Sequence, residues 1–152
     1  MTNQNVAVRT KRAAPNREPA IILGKEDVER LRTVVEAHVF GRDEPAAERL
    51  EAELDRATVV PQAEVPPDVV TMNARIVFED PEAGRRREIT LCYPRDADPA
   101  SGRISVLAPV AMALLGLRVG DSIDWPLPGG RKATFRIASI LGRDEEPRAA
   151  AR

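Results

Sequence analysis

The sequence predicts an α+β fold in which a short antiparallel helical hairpin precedes a mainly antiparallel sheet with one short helix on it. Two observations lead to this prediction. Apolar residues recur every three or four positions between residues 26 and 57, and they alternate with polar residues through much of the stretch from 69 to 141. The chain has 152 residues, of which 43% are hydrophobic and 31% charged. That balance is typical of one ordinary globular domain, or of a small domain with an appendage.

The charges are unevenly distributed, although the formal net charge is only −1. Residues 1–21 are basic and almost free of large apolar side chains, which predicts a disordered tail. Residues 26–56 hold ten acids against five arginines, so the hairpin is acidic. Residues 143–152 form a second polar end that we also expect to be disordered. The near-neutral total excludes a strongly basic nucleic-acid binder, so direct binding to nucleic acid should be weak at most.

The hairpin is predicted for residues 22–60. The first helix carries one apolar stripe (Val28, Leu31, Val35, Val39), and the second carries another (Ala47, Leu50, Leu54, Ala57). Gly41 suits the end of the first helix, and Pro45 suits the first turn of the second, with Asp43 or Glu44 as its cap. Residues 61–67 contain three prolines, which predicts a stiff extended linker.

The second domain is predicted for residues 68–142. Alternating apolar residues indicate strands near 74–79, 87–93, 104–107, 122–127 and 133–141. Pro109 opens a short helix that Gly116 ends. The glycines Gly116, Gly120, Gly129 and Gly130 suit turns and caps, and they lack the spacing of a phosphate-binding loop.

Composition favours an interaction protein over an enzyme. Cys92 is the single cysteine and His38 the single histidine, which excludes an internal disulfide and a multi-histidine metal site. The five aromatic residues are few for an aromatic ligand pocket. No apolar run is long enough to span a bilayer, and no secretory signal is recognisable, so we expect a cytoplasmic protein. The sequence gives no reason to expect a metal or a cofactor.

Several motifs together resemble a known family. The runs Ile104–Pro109, Ala113–Gly116, Val119–Asp121 and Pro128–Gly130 resemble the C-terminal domain of the GreA/GreB transcript-cleavage factors. The runs Asp68–Asn73 and Trp125–Gly130 are more similar to the Rnk members, the regulators of nucleoside diphosphate kinase. The resemblance implies an N-terminal antiparallel coiled coil and an FKBP-like C-terminal domain. It also implies binding to bacterial RNA polymerase at its secondary channel. We expect the chain to be a monomer and to compete there with Gre factors.

The resemblance suggests two sets of site residues. Ser105, Leu107, Ala108 and Pro109 would form the face that docks on the polymerase, although the family often has serine where this chain has Ala108. Asp43 and Glu44 stand at the hairpin tip, where acidic residues of Gre factors help to hold a catalytic Mg²⁺. The predicted helices are about 20 Å long, roughly half of what a Gre hairpin needs. We therefore expect a regulator that does not stimulate transcript cleavage.

Two other functions stay open on the sequence alone. An active Gre-like cleavage factor would use Asp43 and Glu44 at the tip. A prolyl isomerase would need an apolar pocket lined by Phe78, Tyr93, Trp125 and Phe135, some of which must fill the core. Arg85–Arg87 is more typical of a solvated turn than of a phosphate contact. Cys92 is expected to be an inert buried thiol, and His38 is not expected to be catalytic.

Overall fold

The computed structural model describes residues 19–80, 84–126 and 128–144, with the side chains of 125, 126 and 128 left out. The hairpin helices are α1 (Lys25–His38) and α2 (Glu44–Arg56), close to the predicted bounds. Both predicted stripes are buried at their centres, since Leu31 and Leu50 have no solvent exposure. The stripe ends, Val39 and Ala57, are only partly buried. The two helices pack against each other, as the periodicity predicts.

The base of the hairpin holds two strands that the sequence did not predict. Strands β1 (Ile22–Gly24) and β2 (Thr58–Val60) flank the helices and pair in parallel, with Leu23 opposite Val59. Three residues are too few to show an alternating pattern, and the neighbouring helical periodicity dominates the sequence window. The hairpin is therefore a closed loop whose two ends are joined by backbone hydrogen bonds.

A five-stranded sheet forms the second part of the chain, in the order β5-β4-β3-β7-β6. Its strands are β3 (Ala74–Asp80), β4 (Arg85–Cys92), β5 (Arg103–Ser105), β6 (Ser122–Pro126) and β7 (Lys132–Arg143). All neighbours are antiparallel except β4 and β5, which pair in parallel. Helix α3 (Pro109–Leu114) is the predicted short helix, and residues 111–117 are all buried. The prediction of an α+β architecture is confirmed.

Strand β7 differs from its prediction in two ways. Its register against β3 shifts twice, so that Ile76 pairs with Ile140 and Val77 with Ser139. These irregularities reverse the alternation, and Ile140 packs on the core where the sequence pattern placed Ser139. The strand also includes Arg143, which was predicted to begin a disordered tail. The Arg143 guanidinium donates to Thr71 Oγ1 at 2.7 Å and to the Val69 carbonyl at 3.1 Å, and these bonds account for the extension.

One hydrophobic core joins the hairpin to the sheet. Ile21, Leu31 and Leu50 belong to the same buried cluster as Phe78 and Leu114. The segment between the two parts is not the extended linker predicted for 61–67, because Gln62–Glu64 forms a 3-10 turn. Gln62 Oε1 accepts from the backbone N–H of Asp27 at 3.0 Å, which holds this segment against the start of α1.

Candidate functional site

The predicted docking residues form one continuous surface turn between β5 and α3. Ser105 accepts twice: its hydroxyl from the Leu107 N–H at 3.0 Å, and its carbonyl from the Ala108 N–H at 2.9 Å. Ala108 is extended and serves as the N-cap residue of α3, while Pro109 occupies the first turn. Pro109 is exposed, whereas Leu107 packs partly on the core. The structure thus brings the four residues together and leaves Pro109 as the most accessible of them.

The hairpin tip is closed by backbone bonds and not by a side-chain cap. Asp43 stands at the N-cap position of α2, but its carboxylate makes no capping bond, so the predicted capping role is wrong. Gly41, at a φ of 112°, supplies the carbonyl that accepts from the Glu44 N–H at 3.2 Å. That left-handed turn reverses the chain without a side chain, which leaves Glu44 exposed and Asp43 partly exposed. Phe40 beside them is 87% exposed.

These two carboxylates are the tip's acidic groups, and they are adjacent in sequence. Among the residues that the structure describes, no three His, Cys, Asp or Glu side chains come together as a metal-ligand set. A cation at the tip would therefore need further ligands from a partner molecule.

A buried carboxylate links the hairpin to the sheet domain. Asp27 is 7% exposed, and its Oδ2 accepts from the Met72 N–H at 3.2 Å. Burial raises the pKa of Asp27, and hydrogen bonds from Met72 and Gln62 oppose that shift. From the sequence, Asp27 was expected only to interact favourably with the helix dipole. Its partner Met72 lies 45 residues further along the chain, so no local pattern indicates the contact.

We expect Asp27→Asn to change how stability depends on pH. The folded pKa lies above the ordinary 3.8, so the wild type loses stability as pH rises through that raised pKa. The asparagine variant keeps an acceptor for Met72 but does not titrate. The free energy of unfolding of the variant, relative to that of the wild type, should therefore increase as the pH rises from about 4 to about 7. Urea titrations across this range measure the difference, with the exposed Glu51→Gln as control. A difference independent of pH would contradict the prediction.

The other candidate residues of the sequence occupy structural positions. Cys92 is fully buried, and burial raises the pKa of its thiol. His38 Nδ1 donates to the Val34 carbonyl at 2.9 Å within its own helix. Arg86 pairs with Glu79 at 3.1 Å, and the Arg87 guanidinium lies over the Phe78 ring. The arginine triplet therefore lies along the start of β4, with two of its members held by neighbouring side chains.

The three of these aromatic side chains that the structure describes do not form the pocket that a prolyl isomerase would need. Phe78 and Phe135 pack edge to face in the core, with ring centroids 5.3 Å apart. Tyr93 is also buried, and the Trp125 side chain lies outside the described part of the structure. Three of the four rings are thus in the interior.

Comparison with known proteins identifies the family to which this fold belongs. The family profile described as "Transcription elongation factor, GreA/GreB, C-term" matches residues 65–141, just over half of the chain. A GreA/GreB structure from Nitrosomonas europaea superposes with a TM-score of 0.64 at 44% identity, covering 81% of this chain and 98% of that one. GreA of Solidesulfovibrio magneticus is 37% identical over 60% of this chain and 55% of its own length. The chain belongs to the GreA/GreB family.

Within that family, the chain groups with Rnk. The profile "Rnk N-terminus" matches residues 19–60, which include the whole hairpin and both strands at its base. The regulator of nucleoside diphosphate kinase of Escherichia coli K12 is 43% identical over 122 residues, covering 80% of this chain and 89% of the relative. The two profiles lie on either side of the 3-10 turn at Gln62–Glu64. No helix among the described residues is both long and apolar enough to cross a membrane.

Proposed function

We propose that this protein regulates transcription by binding bacterial RNA polymerase near the secondary channel, in competition with Gre factors and without stimulating transcript cleavage. The observation that carries the proposal is the match to a named regulator over 89% of that relative's length, hairpin and sheet domain together. In this role it would act as a monomer in the cytoplasm, where the polymerase works.

The docking turn supports the proposal. Ser105, Ala108 and Pro109 are held by the backbone of β5 and α3, so the turn needs no ordering when a partner binds. The hairpin adds acidic residues on both helices, which suit a basic channel wall. Phe40 at the tip adds an exposed aromatic side chain that a partner pocket could bury.

The short hairpin supports the absence of cleavage activity. Helix α1 has fourteen residues and is therefore about 20 Å long. The matched part of a GreA relative covers only 55% of that protein, so a large part of GreA has no counterpart in the alignment. Asp43 and Glu44 therefore lie only about 20 Å from the base of the hairpin. An active cleavage factor using these two carboxylates is the second candidate, favoured by their exposure at the tip.

Competition for the polymerase tests the proposal. The full chain is incubated with purified bacterial RNA polymerase, and binding is measured with increasing amounts of a Gre factor. We expect the Gre factor to displace the chain, and stalled complexes to show no added transcript cleavage. Absence of binding at about 10 μM would overturn the proposal. Added cleavage that Asp43→Asn and Glu44→Gln abolish would instead establish the second candidate.

We expect Pro109→Glu to weaken polymerase binding by about tenfold, the equivalent of about 1.4 kcal/mol. The exposed proline lies at the centre of the proposed contact, and a carboxylate there would be desolvated on binding. Pro99→Glu is the matched control, since Pro99 is also exposed and also opens a short helical turn. Equal binding by both variants would remove the turn from the contact.

A further inference from the structure

Helix α1 begins at a glycine, so it has no side chain of its own to cap its first turn. The N-cap residue is Gly24, and no side-chain capping bond is made from it. A serine or aspartate at an N-cap can accept from the backbone N–H three residues on. That N–H belongs here to Asp27, and Gln62 Oε1 accepts from it at 3.0 Å. Gln62 therefore caps α1 from the 3-10 turn outside the hairpin, 35 residues away from the capped amide.

The side chain of Asp27 also bonds outside its own helix. In a capping box, the side chain of the third helical residue reaches back to the N–H of the cap residue. The Asp27 carboxylate instead accepts from the Met72 N–H of the sheet domain, at 3.2 Å. The Gln62 amide also hydrogen-bonds this carboxylate. The polar groups at the start of α1 thus join three segments, which are the hairpin, the 3-10 turn and the sheet domain.

The absence of a side chain at Gly24 leaves room for this distant cap. Its φ of −79° and ψ of 148° are ordinary for any L-residue, so the backbone does not require glycine here. A Cβ at residue 24, however, would lie 2.6 Å from Gln62 Nε2 and closer still to Gln62 Oε1. The amide stands at the end of a flexible side chain, so it would swing away and leave the helix in place. Alanine at this position would therefore release the cap without removing Gln62.

The same junction is connected to the docking turn through the end of β4. The Asn73 N–H, next to the amide that Asp27 contacts, donates to the Leu91 carbonyl at 2.8 Å. The carbonyl of the following residue, Cys92, accepts from the Val106 N–H within the docking turn at 2.9 Å. The apolar core between hairpin and sheet domain is not directional, whereas hydrogen bonds fix both distance and angle. The direction of the hairpin relative to the docking turn therefore depends on the polar junction.

We propose that Gln62 is a positioning residue, which fixes the direction of the hairpin relative to the docking turn by capping α1 from outside the hairpin. The consequence for binding rests on the proposed function, in which one polymerase contacts both the docking turn and the hairpin. Two contacts with one partner strengthen each other only when their spacing matches that partner. A hairpin held in one direction also loses less orientational freedom on binding. Loss of the cap should weaken polymerase binding although both contact surfaces stay intact.

Distances between two spin labels test the direction of the hairpin without any partner. The labels are attached to the full chain at Arg42→Cys on the hairpin tip and Ala100→Cys on the sheet domain, both exposed positions. The native Cys92 is fully buried and should not be labelled. We expect one narrow distance distribution in this parent chain, and a shifted or broader one when the Gln62 cap is removed.

Two substitutions remove the cap by different routes. Gln62→Ala deletes the amide, and Gly24→Ala displaces it, so each should shift or broaden the distance distribution. Because both break the same contact, the double variant should match either single variant. Glu64→Ala is the matched control, since Glu64 is exposed on the same 3-10 turn, and it should leave the distribution unchanged.

A local cap separates positioning from helix stability. Gln62→Ala should lower the thermal midpoint by about 3 °C and polymerase affinity by about fivefold. Adding Gly24→Ser to Gln62→Ala places a hydroxyl where it can accept from the Asp27 N–H, in the space that the amide has left. The serine should restore the thermal midpoint, but neither the affinity nor the narrow distance distribution. Recovery of all three would show that Gln62 only stabilises the helix, and the proposal would be wrong.

The distance and binding measurements fail separately. Unchanged distance distributions in Gln62→Ala and Gly24→Ala would overturn the proposal, whatever the effect on stability. Altered distances with unchanged polymerase affinity would contradict the positioning role in binding. If the parent chain itself does not bind polymerase, the proposed function is wrong, and the distances alone decide whether Gln62 sets the direction of the hairpin.

Discussion

Replacing Phe78 with alanine should lower the free energy of unfolding by about 3–5 kcal/mol. Phe78 is 1% exposed and lies on β3, the central strand of the sheet. Its ring packs edge to face on Phe135, at an interplanar angle of 80°, and the Arg87 guanidinium lies 6.0 Å from its centre. Truncation loses the buried apolar area and leaves a cavity between strands that cannot collapse freely.

Phe40→Ala is the matched control for this substitution. The same atoms are removed from a side chain that is 87% exposed, so stability should change by less than about 0.5 kcal/mol. Urea unfolding followed by circular dichroism measures both variants. A similar loss at the two positions would contradict the central place of Phe78 in the core.

Gly116→Ala should lower the free energy of unfolding by about 2–4 kcal/mol. Gly116 has a φ of 83°, and a Cβ there would lie 2.7 Å from Ile21 Cβ. Its carbonyl accepts from the Ile22 N–H at 3.1 Å, and its own N–H donates to Val70. The new methyl group would therefore push apart the hairpin base and the sheet domain where their backbones are bonded.

Gly129→Ala separates backbone strain from the steric clash. Gly129 has a φ of 82°, but a Cβ there would lie more than 4 Å from every other atom that the structure describes. This control should lose only the strain component, about 1–2 kcal/mol. Urea unfolding gives the two values, and hydrogen exchange at the Ile22 amide reports whether the hairpin base has loosened. Equal losses in both variants would show that contact with Ile21 adds nothing.

The sequence predicted the parts of the fold that depend on local pattern. Both long helices follow from stripes such as Leu31 and Leu50, and the sheet strands follow from alternation. Strands β1 and β2 were missed because their pairing joins segments 36 residues apart, from Ile22 to Thr58. The alternating pattern predicted that Ser139, and not Ile140, would face the core. The difference was missed because a bulge depends on the pairing with the neighbouring strand.

The candidate site divides in the same way. A strand, a short loop and Pro109 in sequence predict the turn at 105–109, whereas its docking role was inferred from the family resemblance and stays a prediction. The cap at Asp43 was predicted from a residue preference, but the turn at Gly41 closes the tip through its backbone instead. The burial of Asp27 arises only when α1 packs on the sheet domain. No local pattern records that packing.

Because β1 and β2 pair at its base, the hairpin can change in length without changing how it is attached to the sheet domain. Because both helices leave and return through paired strands, residues could be inserted beyond the base without moving Ile22–Gly24 or Thr58–Val60. Seven residues added to each helix would extend the tip by about 10 Å and nearly preserve its rotational phase. The number of helical residues thus sets the distance from the fixed base to the tip. Evolution or an engineer could set how far the tip reaches without redesigning the domain that carries it.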